Sequence, residues 1–108
     1  MIPVKIAVMA SGRGSNLKAI LDAAKKGECP VQVEVVISDK ADAPALAIAR
    51  DAGVPIVEHI NPKDFADRAA FDAACADVIE KAGCEWIALA GYMRILSSEF
   101  VQRFAGKI

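Results

Sequence analysis

Apolar residues recur along this chain with two different periods. Residues 4–10 (VKIAVMA) and 31–38 (VQVEVVIS) are apolar runs rich in β-branched side chains, which is typical of strands buried in a parallel sheet. Shorter apolar runs at 54–58 and 85–90 predict a third and a fourth strand. Between the runs, apolar residues return every three or four positions, as on one face of a helix. The pattern predicts alternating strands and helices.

Three helices are predicted between the four strands. The first begins at Ser15 as its N-cap, and the second spans 44–51 with Asp42 as its N-cap. The third is a long amphipathic helix that ends at Gly83. Its apolar stripe comprises Phe71, Cys75, Val78, Ile79 and Ala82. A further short helix, 98–104, follows the fourth strand.

Short connections in the order βαβαβαβ predict an α/β fold. We expect a Rossmann-like parallel sheet with right-handed crossovers and helices on both faces. In the strand order 3-2-1-4, as in the nucleotide-binding halves of doubly wound folds, the order reverses between strands one and four and a crevice opens there. The loops that follow these two strands, 11–16 and 91–97, would flank the crevice.

Composition and charge argue against several classes of function. The 108 residues fit one domain, and 13 basic against 14 acidic side chains provide no overall field for nucleic acid or an anionic membrane. No apolar run approaches the roughly 20 residues of a membrane span. Three cysteines without close spacing (Cys29, Cys75 and Cys84) favour neither disulfides nor a metal site. A soluble, unprocessed, cytoplasmic protein is expected.

The sequence SGRGSN at 11–16, the glycine-rich loop, has the features of a phosphate site. Glycines at 12 and 14 would let backbone N–H groups approach an anion, and the following helix would add the positive end of its dipole. A purely structural turn is the alternative. The dinucleotide fingerprint would need a third glycine where Leu17 stands, although Asp39 after the second strand keeps an NAD-type reading open.

The loop after the fourth strand is unusually apolar. Residues 91–96 (GYMRIL) surround one arginine with large apolar side chains, which suits a flat aromatic ligand bearing a carboxylate. Alternatively, Met93, Ile95 and Leu96 pack under the helix at 98–104 and Arg94 is solvated. Elsewhere, His59 is expected in an exposed turn, and Cys75 and Trp86 in the core.

The two loops together, SGRGSN and AGYMRILS, resemble those of the phosphoribosylglycinamide formyltransferases, a folate-dependent family of purine synthesis. ISDKADAPAL and FADRAAFD extend the resemblance over essentially the whole chain. It implies that glycinamide ribonucleotide is held by Arg13, Gly14, Ser15 and Asn16. It also implies that 10-formyltetrahydrofolate is bound by Arg68, Met93, Arg94, Ile95 and Leu96. No metal is expected, because no cluster of His, Cys and carboxylate residues supports a metal site.

The family's catalytic Asn, His and Asp have no counterpart at matching positions here. By the resemblance they belong to a strand beginning at about Ile108 and to a later segment, so no catalytic residue is assigned. Residues 1–108 would be the N-terminal, mononucleotide-binding half of a formyltransferase domain, inactive alone, with the C-terminal catalytic half absent. Self-association or a complementary C-terminal half is then expected. A dinucleotide-binding oxidoreductase domain and a non-catalytic sugar-phosphate module are the alternatives.

Overall fold

The computed structural model describes residues 4–27, 30–94 and 96–108. Cys29 and Ile95, both named above, lie outside the described residues. In chain order the elements are β1 (Val4–Ala10), α1 (Ser15–Lys25), β2 (Val31–Ser38), α2 (Pro44–Asp51), β3 (Ile56–His59), a 3₁₀ turn (Pro62–Asp64), α3 (Arg68–Lys81), β4 (Trp86–Leu89) and α4 (Ser98–Arg103).

The four strands form one parallel sheet in the predicted order β3-β2-β1-β4. β1 is central and its residues 6–10 are buried, because helices cover both faces of the sheet. α1 and α2 pack on one face and α3 and α4 on the other. Each face therefore has its own apolar core, and the carboxyl ends of all strands point to the same edge.

A β-bulge in β2 explains the mixed pattern of its sequence. Ile6 pairs with Val33 whereas Ala7 pairs with Val35, so the register passes over Glu34. An extra residue reverses which face the following side chains occupy. Val33 accordingly lies in the core under α1 and α2, while Val35 lies in the core under α3.

Trp86 departs from the sequence expectation. It was predicted to be in the core, but 47% of its surface is exposed. β4 pairs with β1 on one side. On its other side, the one backbone hydrogen bond among the described residues runs from the Ile87 N–H to the Lys107 carbonyl, at 2.8 Å. Trp86 therefore lies at a sheet edge, where strand residues are less covered.

Candidate functional site

The glycine-rich loop and the β4–α4 loop (residues 91–97) lie side by side, because β1 and β4 are neighbours. The Ala90 N–H donates to the Met9 carbonyl at 2.9 Å, and the Ser11 N–H donates to the Gly91 carbonyl at 3.4 Å. These bonds extend the β1–β4 pairing past the ends of the strands. The strand order reverses between β1 and β4. The loops that follow these two strands therefore lie together at the carboxyl end of the sheet, as expected for this fold.

Between the two loops runs a groove of about 690 Å³, here called the switch groove. It is lined by Gly12, Arg13, Gly14, Ser15, Asn16, Ala90, Gly91 and Met93. All four residues predicted to hold a phosphorylated substrate thus line the same groove as Met93, one of the five predicted for the formyl donor.

The amino end of α1 opens toward the switch groove without a side-chain cap. Gly14, not Ser15, is the N-cap, and no side-chain hydrogen bond caps it, so the expected capping role of Ser15 is wrong. Ser15 and Asn16 are instead the first two helical residues, and both are exposed. The N–H groups of a first helical turn have no intrahelical acceptor, and the helix dipole makes this end favourable for an anion.

The two glycines of the loop have different surroundings. Gly14 has φ +82°, and a Cβ there would lie 2.8 Å from the Cα of Ala45 in α2. Its lack of a side chain therefore serves the turn and the packing of α2. A Cβ on Gly12 would meet nothing within 4 Å, so Gly12 leaves open space beside the groove. A bulky side chain at Gly14 would therefore disturb the fold itself as well as the groove.

The β4–α4 loop divides its side chains between core and surface. Leu96 and Tyr92 pack against the core on the α3 side, so the packing alternative is confirmed for Leu96 but is wrong for Met93. Met93 is 78% exposed at the switch groove. Arg94 is not solvated throughout, since its Cζ lies 5.1 Å from the Phe71 ring centroid and its Nε is buried. Such an arginine–aromatic contact is attractive.

Arg94 faces a second groove, of about 680 Å³, beyond the ends of β2 and β3. Its lining includes Asp39, Lys40, His59, Asn61 and Lys63. His59 ends β3 and is half-buried rather than lying in an exposed turn. The chain's single histidine thus lies in a different groove from the glycine-rich loop.

Arg68 stands apart from both grooves. It is the first residue of α3 and is exposed, directly after Asp67, whose carboxylate caps the helix by accepting from the Ala70 N–H at 2.9 Å. The structure therefore brings Arg13, Gly14, Ser15, Asn16 and Met93 together in one groove and places Arg94, Leu96 and Arg68 elsewhere around the β4–α4 loop and α3.

Two buried carboxylates contribute to this region, and only Asp39 was named from the sequence, as a possible ribose ligand. Asp39 accepts a 2.7 Å hydrogen bond from the Ser11 hydroxyl, so that carboxylate oxygen is already engaged within the fold. Asp72 is 1% exposed and accepts from the Ser97 N–H at 2.6 Å, while its second oxygen has no partner among the described residues. A signal for Asp72 was available, because it is a charged residue beside Phe71 on the inward face of α3.

The described thiols are not activated nucleophiles. Burial, followed by the nearby Asp72 and Asp39 carboxylates, raises the pKa of Cys75 to about 12. Burial likewise raises the pKa of Cys84 to about 11. A nucleophilic cysteine needs a lowered pKa, so both described cysteines remain protonated near neutral pH. Cys75 lies in the core, as predicted.

The described ranges contain neither a cluster of metal-ligand side chains nor a membrane-spanning helix. Within residues 4–27, 30–94 and 96–108, no three His, Cys, Asp or Glu side chains cluster as metal ligands would. None of the helices in those ranges has the length and apolar character needed to cross a membrane.

Comparisons with known proteins agree with this architecture. Residues 4–108 match the family model described as formyl transferase. The chain is 44% identical over 104 residues to the phosphoribosylglycinamide formyltransferase of Haemophilus influenzae, a match covering 96% of this chain and 49% of the relative. It is 40% identical to that of Escherichia coli K12, covering 97% and 49%.

A solved structure gives the same relationship in three dimensions. Glycinamide ribonucleotide transformylase 1 from Symbiobacterium toebii superposes with a TM-score of 0.93 at 43% identity, covering 98% of this chain and 50% of that one. The chain spans about half the length of each of these three proteins. From the match over residues 4–108, this chain belongs to the formyl transferase family.

Proposed function

We propose that this chain supplies the phosphate site and part of the formyl-donor site for folate-dependent formyl transfer to glycinamide ribonucleotide. The observation that carries the proposal is the uncapped amino end of α1, where Gly14, Ser15 and Asn16 border the switch groove opposite the β4–α4 loop. Family membership supports the type of reaction, and the names of the relatives support the acceptor.

The phosphate of glycinamide ribonucleotide would bind at the glycine-rich loop. Backbone N–H groups of the first turn of α1, together with the Ser15 hydroxyl and the Asn16 amide, are donors suited to a phosphate dianion. Each hydrogen bond to a charged group contributes about 1.5–3 kcal/mol, and the helix dipole adds about 0.3–1 kcal/mol. Arg13, exposed at the same groove, would add a positive charge.

The formyl donor, 10-formyltetrahydrofolate, would bind along the β4–α4 loop. Met93 offers an exposed apolar surface next to the phosphate site, and Arg94, Ile95, Leu96 and the more distant Arg68 complete the proposed donor-binding set. In the reaction the acceptor amine attacks the formyl carbon, a new C–N bond forms, and the C–N bond to the donor breaks. The attacking nitrogen loses a proton and the donor nitrogen gains one.

The contribution of the described residues would be binding and orientation rather than acid–base catalysis. The single histidine lines the second groove, and both described thiols are held protonated. Holding two reactants in place can itself remove a large part of a bimolecular barrier. We assign no catalytic group and no metal to this chain.

The proposed partners are glycinamide ribonucleotide and a complementary C-terminal half. The C-terminal half would cover the apolar edge of the sheet at β4, and self-association of the chain is the alternative way to cover it. Trp86 and Leu89 on β4 are 47% and 44% exposed, and a neighbouring strand would cover them. A cytoplasmic location belongs to the same proposal and is supported by the free thiols of Cys75 and Cys84.

Calorimetric titration with glycinamide ribonucleotide, and separately with NAD, tests the proposed function. We expect saturable binding of glycinamide ribonucleotide that inorganic phosphate competes away, and no comparable heat with NAD. Ser15→Ala should weaken binding about 10-fold, because a hydrogen bond to a charged group is lost. Tighter binding of NAD than of glycinamide ribonucleotide would overturn the proposal in favour of a dinucleotide site.

A further inference from the structure

The β4–α4 loop is anchored at both ends by buried carboxylates that belong to other elements. Near its start, the Met93 N–H donates to the Ser11 Oγ at 2.9 Å, and that hydroxyl donates to Asp39 at 2.7 Å. At its end, the Ser97 N–H donates to Asp72 at 2.6 Å. The loop held by these anchors carries every residue proposed for the formyl donor except Arg68, which lies on α3.

The first anchor depends on the direction of one hydroxyl hydrogen. A serine hydroxyl has one hydrogen to donate, and Asp39 accepts it. The oxygen of Ser11 therefore presents its lone pairs to the Met93 N–H. Asp39 thus acts on the β4–α4 loop through Ser11, without touching the loop at this bond.

This first anchor joins the ends of three adjacent strands. Asp39 directly follows β2, Ser11 directly follows β1, and Met93 lies four residues beyond the end of β4. Because Ser11 is also the first residue of the glycine-rich loop, the bond sets the position of Met93 relative to the groove between the two loops. Asp39 and Ser11 are both buried, so water competes little for these bonds.

The second anchor sets where α4 begins. Asp72 is fully enclosed on α3, and burying a carboxylate is unfavourable unless it accepts hydrogen bonds. Its partner, Ser97, is the N-cap of α4, and the Ser97 Oγ in turn accepts from the Phe100 N–H at 3.2 Å. Asp72 therefore holds the last residue of the loop and the first turn of the following helix together.

We propose that Asp39 and Asp72 are positioning residues, which preorganise the β4–α4 loop for the formyl donor through Ser11 and Ser97. This inference rests on the proposed function for its ligand. Weakening either anchor should therefore lower the affinity for the formyl donor more than the affinity for glycinamide ribonucleotide. The reason is that the proposed phosphate site is built on the amino end of α1.

The test compares Ala and Asn variants at both positions of the full chain. Asp39→Ala and Asp72→Ala remove the acceptor, whereas Asp39→Asn and Asp72→Asn keep an oxygen of similar size and position. Amide hydrogen exchange of Met93 and Ser97 is measured relative to that of Val8 in the buried part of β1, so that a change in global stability is divided out. Binding is measured for a non-reactive 10-formylfolate analogue and for glycinamide ribonucleotide.

We expect each Ala variant to raise the relative exchange rate at its own anchored amide about 10-fold, the usual effect of a lost buried hydrogen bond. Affinity for the folate analogue should fall about 10-fold, while affinity for glycinamide ribonucleotide changes less than about 2-fold. The Asn variants should restore both quantities to within about 3-fold of wild type.

Equal losses for both ligands, an unchanged exchange ratio, or Asn variants as impaired as the Ala variants would overturn the positioning role. The Asn variants keep the test decisive if an Ala variant fails to fold. Failure of the proposed function would be seen separately, as absence of binding of both probes to the wild-type protein. The exchange ratios would then still decide whether the two carboxylates hold the loop.

Discussion

A Cβ atom on Gly14 would lie 2.8 Å from the Cα of Ala45, closer than non-bonded carbon atoms approach in proteins. The glycine-rich loop is therefore packed against α2 on one side and open to the switch groove on the other. The same short sequence serves the fold at Gly14 and leaves space for a ligand at Gly12.

Alanine substitutions at the two glycines should separate these roles. Gly14→Ala combines a positive φ with a clash against backbone, and we expect a loss of about 2–4 kcal/mol in the free energy of unfolding. Gly12→Ala meets no neighbour and should change that free energy by less than about 0.5 kcal/mol. Urea unfolding of both variants measures the difference. Equal losses would contradict the packing of Gly14 against α2.

The cap of α3 gives a second prediction. Asp67 accepts from the Ala70 N–H at 2.9 Å, so Asp67→Ala should lower the free energy of unfolding by about 1 kcal/mol, and Asp67→Ser should retain most of it. Asp42 is the matched control, since α2 begins after Ala43 with no side-chain cap. Asp42→Ala is expected to cost less than about 0.5 kcal/mol. Urea unfolding of the three variants measures these free energies. A loss of stability in Asp42→Ala larger than about 0.5 kcal/mol would contradict the absence of a cap at Asp42.

Alkaline pH should destabilise the fold in part through Cys75. Its ordinary pKa of 9.0, which applies when the chain unfolds, is raised to about 12 in the fold, chiefly by burial. The unfolded chain therefore releases this proton first, so the stabilising contribution is complete below pH 9 and declines as the pH rises from 9 toward 12. Cys75→Ala should lose less stability over that range than wild type.

Unfolding free energies of wild type and Cys75→Ala, measured from pH 8 to 10.5, test this difference. The advantage of wild type over the variant should shrink with rising pH. The native Cys75 thiol should also resist alkylation at pH 8, with the urea-unfolded chain as the reactive control. A gap that stays constant with pH, together with rapid alkylation of the native protein, would contradict the raised pKa.

Regular elements could be predicted from the sequence because their signals are local. β1, β2 and α2 match the expected ranges residue for residue, since β-branched runs, Pro44 and the chain-reversing Gly53 act within a few positions. The strand order also follows, because short βαβ connections leave few topologies. The cap of α2 at Asp42 was wrong, because Pro44 already sets the first turn and the N-cap is Ala43.

The features that position the candidate site depend on contacts between distant parts of the chain. Asp72 and Ser97 are 25 residues apart, and Ser11 and Met93 are 82 apart, so no local pattern connects them. Trp86 was misplaced for the same reason, since its exposure depends on what lies beyond β4. The contact between Arg94 and Phe71 on α3 likewise joins distant parts of the chain, so no local pattern indicates it.

The proposed phosphate site at the glycine-rich loop is tested most directly by adding one negative charge to it. Asn16→Asp places a carboxylate in the first turn of α1, where it suits the helix dipole and should leave stability unchanged or slightly higher. The same charge would repel a bound phosphate and remove a hydrogen-bond donor. Gln102→Glu, an identical chemical change on the exposed surface of α4, is the control.

The measurement is the dissociation constant of glycinamide ribonucleotide for wild type, Asn16→Asp and Gln102→Glu, obtained by following backbone amide resonances during titration. We predict shifts centred on residues 12–16, binding at least about 10-fold weaker in Asn16→Asp, and no change in Gln102→Glu. Equal affinity of all three proteins, or shifts centred away from residues 12–16, would contradict a phosphate site at the amino end of α1.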